Sequence, residues 1–351
     1  MSTTESEQPA ALPAPQGVGR MSAIVQDRYG SVPRDVLRFA EVDVPTFAGD
    51  EVLVRVHAAS VDRGTWHIMA GLPYPIRLAG FGLRTPKYLN PGRCVAGTVH
   101  AVGADVTGFA QGDEVFGIGD ATFAEYARAR PGKLATKPTN VSFEHAAAVP
   151  ISGATALQAV RDRARVQPGQ SVLVVGASGG VGSFAVQIAK AHGAEVTGVC
   201  GTGKVDLVRA LGADHVLDYT LEDFADGAHQ YDVVLDIGGN RRVADLRRAL
   251  TPTGTLVIVG GETEGRWLGG LDRQLKATLL SVFVHQKLGT FISSENATDL
   301  TALGQLLEAG TITPAIDGTY PLHDTAAALG HLLDGGARGK VVITMPGPDR
   351  G

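Results

Sequence analysis

The sequence predicts an α/β fold in which a doubly wound parallel sheet is joined to a second, mostly β domain. Three observations carry this expectation. Short β-branched runs split by Gly, Pro and Asp fill residues 21 to 137. From Ser142 onward, strand and helix patterns alternate regularly. A glycine-rich turn links the first of those later strands to the helix after it.

The first half reads as antiparallel. Residues 51–58 (EVLVRVHA) alternate apolar and polar side chains with the period of two of a half-buried strand. Cys94–Val102 (CVAGTVHAV) and residues 113–118 (DEVFGI) read the same way, with Gly and Asp at the turn positions between them. In the second half, residues 143–164 place apolar side chains at helical spacing, interrupted by Pro150 and Gly153. Residues 171–176 (SVLVVG) are a buried strand, 183–192 a helix stopped by Gly193, and Glu195–Cys200 a second strand. A helix over 205–211, strands over 215–217, 231–237 and 255–259, and a helical stretch over 242–250 continue the alternation. Such repetition implies parallel strands with right-handed crossovers. The remainder holds an amphipathic helix over 297–309, one shorter helix and a last strand, Lys340–Thr344.

Composition removes several function classes. A chain of 351 residues exceeds one ordinary core, so two domains are expected. Acidic residues outnumber Lys and Arg, 36 to 31, with signs mixed and no basic stripe, so nucleic acid is not an expected partner. Cys94 and Cys200 can form neither a disulfide framework nor a four-cysteine zinc lobe, and they suit a reducing cytoplasm. Residues 1–20 are polar and Pro/Ala-rich with no apolar core, which reads as a disordered tail and not a secretory signal. No apolar run reaches the roughly 18 residues that a spanning helix needs, so no membrane is expected as a partner.

Residues 176–182 (GASGGVG) carry the chemistry. Ala177, Gly179 and Gly182 occupy the three small-residue positions of a Rossmann dinucleotide-binding fingerprint, between a strand and a helix. The turn must be tight, its middle glycine must let the backbone approach a pyrophosphate, and the last must let helix pack closely on strand. Ser178, Gly180 and Val181 then present backbone N–H groups at a helix N-terminus, where the partial positive charge favours phosphate. The second strand ends in Cys200-Gly201-Thr202-Gly203-Lys204, with no carboxylate before Asp206. An acid there would hold the 2′-hydroxyl of NAD. Its absence, with Thr202 and Lys204 able to attract a 2′-phosphate, favours NADPH. Lys204 taken alone is equally a solvated lysine at a helix start. Gly238 and Gly260 follow the fourth and fifth strands, where a bare backbone can approach the ribose.

The run VLVVGASGGVGSFAVQIAKAHGAEVTGVCGTGKVDLVRALGADHVLDYT resembles the medium-chain dehydrogenase/reductase superfamily, in its zinc-independent, ζ-crystallin-like NADPH:quinone oxidoreductase branch. GDEVLVRVHAASVDRGTWHIMAG, CVAGTVHAVGADVTGFAQGDEVFG, DVVLDIGG and ARGKVVIT extend the resemblance in the same order. It implies a GroES-like domain over residues 21–146, completed by 288–351, and a Rossmann NADPH-binding domain over 147–287. The active site would lie in the cleft between them. It further implies cofactor contacts from Ser152 and Thr155 at the domain junction, from Tyr219 beside the adenosine phosphate, and by position from Phe291 and Lys340. A homodimer is the usual assembly of this branch. In zinc-dependent members the metal ligands fall at positions held here by Asp62, Arg93 and Ile151. Arginine and isoleucine cannot replace an imidazole and a thiolate, so no metal is expected.

The branch usually places asparagine at the Asp62 position and tyrosine at the His67 position, so this chain departs at both candidate catalytic residues. Asp62 either holds a ribose or substrate hydroxyl or caps a turn. His67 either donates a proton or packs as a core residue beside Trp66 and Ile68. With no metal to polarise a carbonyl, the expected reaction is hydride transfer from NADPH to a quinone or an α,β-unsaturated carbonyl, electrophilic through its own conjugation. The alternative is a non-catalytic NADPH-binding protein, which turnover of an acceptor panel would separate. Residues 71–90 are expected to form a lid or pocket wall.

Overall fold

The computed structural model describes residues 19–260, 269 and 271–346. The expected tail therefore lies outside the described residues except for Gly19 and Arg20, and Gly261 lies outside them too. Arg20 already belongs to a strand. β1 (Arg20–Val25) pairs antiparallel with β2 (Arg38–Asp43) across the short helix α1 (Pro33–Val36). β3 (Val52–Val61) runs into α2 (Arg63–Ala70), and β4 (Cys94–Val102), β5 (Glu114–Asp120) and β6 (Tyr126–Thr136) follow. Helices α3 (Phe143–Ala147) and α4 (Pro150–Gln158) then lead to the second sheet.

That sheet is built from β7 (Ser171–Val175), β8 (Glu195–Cys200), β9 (His215–Asp218), β10 (Tyr231–Asp236), β11 (Leu250–Ile258) and β12 (Lys287–Thr290). Its connections carry α5 (Gly180–Ala191), α6 (Val205–Ala210), α7 (Val243–Arg248) and α8 (Leu271–Ser281). All its strands are parallel, in the order β12-β11-β10-β7-β8-β9. The winding reverses between β7 and β10, and ligands of such sheets bind outside the carboxyl ends of strands at that reversal. β12 belongs to this sheet, so its last strand runs from Lys287 to Thr290, across the boundary expected at 287/288.

α9 (Ala297–Glu308), β13 (Ile316–Pro321), α10 (Thr325–Leu333) and β14 (Lys340–Thr344) close the chain. β13 and β14 return to the first sheet, whose order is β13-β14-β3-β4-β5-β6 with β3 also paired to β6. This closure explains a departure from expectation: β3 is buried along almost its whole length instead of on alternate residues. Its side chains supply different apolar clusters on both faces, Val52, Val54 and Val56 to one and Ala59 and Val61 to another. β6 was not anticipated as a strand, because Pro131 and Gly132 interrupt it.

One apolar cluster runs through the domain junction. It joins Ala58, Ala96 and Phe116 of the β domain to Val172, Val174 and Phe184 of the Rossmann domain through Leu300, Leu303 and Leu307 of α9. Beside it, the Gln158 amide donates to the Asp299 carboxylate at 2.7 Å, and Arg161 donates to the same group at 2.8 Å. Burial would push the Asp299 carboxyl up, but bonds from Asn296, Arg161 and Gln158 outweigh it and hold the pKa below its ordinary value. No helix among the described residues is long and apolar enough to cross a membrane.

Candidate active site

The glycine turn after β7 is a wall of bare backbone. Gly176 has φ +84°, and a Cβ there would sit 2.8 Å from the Gly238 nitrogen across the sheet reversal. A Cβ on Gly182 would sit 2.1 Å from the Gly176 oxygen, so α5 can approach β7 only with glycine there. At Gly179 the nearest neighbour is the Gly176 oxygen at 3.5 Å and the remaining space is open. Gly179 provides no side-chain cap for α5, whose first N–H groups are therefore available to a ligand phosphate. Gly179 also bridges to Gly339, which brings the β domain's backbone to the turn.

Two cavities meet at this turn, and a third adjoins the first of them at His67. The first, of about 440 Å³, is lined by Asp62, His67, Ser152, Thr155, Lys340 and the turn itself, with Gly238 and Gly260 on its floor. The second, of about 710 Å³, shares Ser178, Gly238 and Lys204 with the first and holds Thr202 and Tyr219. The third, of about 1040 Å³, shares His67 with the first and runs along segment 71–90. Most of the expected site residues are thus brought together. Ala177 is fully buried beneath the turn and acts by packing. Phe291 is not among the residues lining any of the three; it packs on the junction core, with the Arg163 guanidinium 5.2 Å from its ring centre.

Asp62 is the N-cap of α2. Its carboxylate accepts the Thr65 N–H at 2.9 Å in a capping box and also accepts the Cys94 thiol at 3.8 Å. Burial, helped by this carboxylate, pushes the Cys94 thiol up to about 11, so it stays protonated at neutral pH. His67, on the same helix, donates from Nδ1 to the Leu72 carbonyl at 2.7 Å, which leaves Nε2 with the lone pair of the neutral ring. Lys204 donates to the Gly335 and Ala337 carbonyls, both at 2.8 Å, and burial lowers its pKa. It is therefore not a freely solvated lysine. Lys340 is 2% exposed, and its ammonium donates to the Val61 carbonyl at 3.1 Å. Thr155 hydroxyl donates to Ile151 O at 2.7 Å and lies 3.0 Å from the Ser293 hydroxyl. Thr202 lies 3.0 Å from the Thr220 hydroxyl, and the two hold the Asp218 carboxyl below its ordinary pKa.

Sequence reasoning missed Arg241 and Arg338 in the second cavity. Arg241 comes two residues after Gly239, in the loop beyond the carboxyl end of the central strand β10, and that position was the available signal. It also missed a buried ion pair beneath the site. Arg273 of α8 meets Asp236 at 2.5 Å and donates to the Arg241 and Gly260 carbonyls at 2.8 and 2.9 Å. Asp236 in turn accepts the Gly239 N–H at 3.3 Å, so the pair pins both glycine turns that floor the cleft. No local pattern couples residues this far apart in the chain.

Comparison with known proteins agrees with this geometry. Residues 48–139 match the alcohol dehydrogenase GroES-like domain, and residues 211–343 match a family described as zinc-binding dehydrogenase. The chain is 34% identical over 331 residues to 2-methylene-furan-3-one reductase of Solanum lycopersicum, covering 90% of this chain and 76% of that protein. The chain belongs to the medium-chain dehydrogenase/reductase superfamily. It is 32% identical over 359 residues to the mitochondrial NAD(P)H oxidoreductase RTN4IP1 of Mus musculus, covering 93% of this chain and 89% of that one. The quinone oxidoreductase of Coxiella burnetii superposes with a TM-score of 0.79 at 28% identity, over 93% of this chain and 100% of that one. This medium-chain protein sits in the quinone oxidoreductase-like branch and is an oxidoreductase.

A family described as zinc-binding raises the question of a metal, and the residues here do not fit one. Arg93 spends its guanidinium on Asp120 at 2.8 Å and Glu295 at 2.9 Å, Ile151 is apolar, and Asp62 caps a helix. Among the described residues no group of three His, Cys, Asp or Glu side chains is arranged to hold a metal ion.

Proposed function

We propose that the chain is an NADPH-dependent, zinc-independent oxidoreductase that delivers hydride to a quinone or an α,β-unsaturated carbonyl compound in the cleft between its domains. The observation that carries this reading is that His67 borders both the cavity along the glycine turn and the larger cavity beside segment 71–90. Regions suited to a hydride donor and to its acceptor therefore meet at one side chain. The names of the relatives, an enone reductase, an NAD(P)H oxidoreductase and a quinone oxidoreductase, support the same chemistry.

When bound, the dihydronicotinamide would supply the hydride. The chain's part is to orient, to exclude water and to provide a proton. Backbone N–H groups of residues 178–181 receive the diphosphate at the start of α5. Thr202, Lys204 and Tyr219, joined by Arg241 and Arg338, supply hydroxyl and cationic groups for a 2′-phosphate. Ser152, Thr155, Gly238, Gly260 and Lys340 border the other end of that cleft. His67 takes a proton at Nε2 and passes it to the reduced acceptor, while Leu72 fixes its ring. Asp62 serves by starting the helix that carries His67.

NADPH oxidation followed by absorbance with a panel of quinones and enones tests the reading. Tight NADPH binding with no acceptor reduced would favour the non-catalytic alternative. His67→Gln is expected to lower kcat about a hundredfold. Lys204→Ala is expected to raise the NADPH KM far more than the NADH KM, and equal effects would remove the 2′-phosphate argument. The proposed setting is a reducing cytoplasm, consistent with two free, buried cysteines. The proposed assembly is a homodimer through the edge strand β12, beside which Leu275, Leu279, Val282 and Phe283 are exposed. Phe283→Asp is expected to halve the mass measured by light scattering.

A further inference from the structure

The cavity along segment 71–90 is roomier than a one-ring acceptor needs. At about 1040 Å³ it reaches the upper end of pockets that hold drug-sized ligands. Its apolar lining includes Ile68, Pro73, Phe81, Ile118 and Ile151. Among the described residues it also holds Lys87, Arg93, Arg128, Arg130 and Lys133, against the carboxylates of Glu51, Asp120 and Glu295. In a chain whose net charge is −5, this local excess of cations runs against the overall balance.

The carboxylates are already committed. Glu295 accepts from Arg93 at 2.9 Å and from Lys133 at 2.6 Å, while Asp120 accepts from Arg93 at 2.8 Å. Glu51 lies 4.0 Å from Arg128 and accepts the Ala48 N–H at 2.9 Å. These pairs build the wall. Arg130 and Lys87 have no carboxylate partner among the described residues; Lys87 sits 5.7 Å from the Tyr88 ring centre. Arg128 and Arg130 are two apart on β6, so they share one face of the sheet.

A neutral quinone or simple enone makes no use of such a wall. We infer that the acceptor reduced by this protein carries an anionic group, a carboxylate or a phosphate, joined to its conjugated carbonyl by an apolar chain, and that Arg130 and Lys87 receive that anion. This inference rests on the reductase reading and specifies its substrate class. The redox step is unchanged. Hydride from NADPH adds to the β-carbon and one proton to the α-carbon, C=C becomes C–C, NADPH becomes NADP⁺, and the anionic group takes no part.

Steady-state NADPH oxidation by the full chain, with matched acceptors, tests it. One pair is a straight-chain enone with a terminal carboxylate and its methyl ester. The other is an enone phosphate monoester and its parent alcohol. The anionic member of at least one pair is expected to show a kcat/KM about tenfold or more above its neutral partner at low salt, carried by KM. The larger ratio identifies carboxylate or phosphate. The ratio should shrink as ionic strength rises, and Lys87→Gln with Arg130→Gln should bring it close to one. Equal kcat/KM within both pairs, or a ratio untouched by salt and by the double substitution, overturns the inference while leaving the reductase reading intact. If no acceptor of either pair and no neutral quinone is reduced, the reductase reading fails and the inference falls with it.

Discussion

The two faces of the cleft are built from different materials. Along residues 176–182 the wall is backbone, shaped by positions where a single added carbon would strike another main-chain atom. Facing the larger cavity, the wall is side chains drawn from α2, segment 71–90, β5, β6 and the stretch before α9. A backbone wall can serve only a ligand part that is always the same. A side-chain wall can be retuned one residue at a time, which suits the part of the site that meets a variable acceptor.

The sharpest way to break this contrast is beneath the backbone wall, at the buried pair of Asp236 and Arg273. Arg273→Met leaves a carboxylate with no exposed surface unpaired, and should cost about 3–5 kcal/mol in a denaturant titration and weaken cofactor binding. Burial already raises the Asp236 pKa. A carboxyl whose folded pKa lies above its unfolded one stabilises the fold at low pH, and that contribution is lost as pH rises through the folded value. Without the guanidinium the Asp236 pKa rises further, so the deficit of the variant should grow with pH from the parent's folded value up to the variant's own, and a pH-independent deficit would contradict the assignment. Next in size is Gly182→Ala, where the 2.1 Å clash with a carbonyl should cost up to about 3 kcal/mol of stability. Gly179→Ala should leave the melting temperature unchanged and lower NADPH affinity about tenfold, because its Cβ enters space left for the ligand. If both glycine variants lose only stability, the turn is a packing device and not a binding wall. The smallest effect belongs to the other face. Asp62→Ala should cost about 1 kcal/mol through the lost cap, while Asp62→Asn should retain both stability and turnover. Loss of turnover in the asparagine variant would give Asp62 a role beyond capping.

How much could be read from the chain follows the same division. Ala177, Gly179 and Gly182 were legible because a tight strand–helix turn imposes its demands within six residues. Lys340–Thr344 and Cys94–Val102 were legible because strand periodicity is local. Phe291, carried over by position alone, faces the junction core. The pairing of Arg93 with Glu295 could not be read, since 202 residues separate them and nothing in either neighbourhood specifies the other. The two alternatives open for Asp62 could be narrowed only once Thr65 and Cys94 were seen around its carboxylate.

The sequence by itself determined the α/β class, the glycine turn, the missing carboxylate at the end of β8 and the residues that cannot serve as metal ligands. Each depends on neighbours within a few positions. Only the tertiary structure decided that β12 belongs to the Rossmann sheet, that Lys204 ties down the Gly335–Ala337 backbone, and that Arg273 pins the floor of the cleft. Those features depend on which distant segments share a face after folding. Local pattern carries no record of that, because burial and ion pairing are properties of the packed chain.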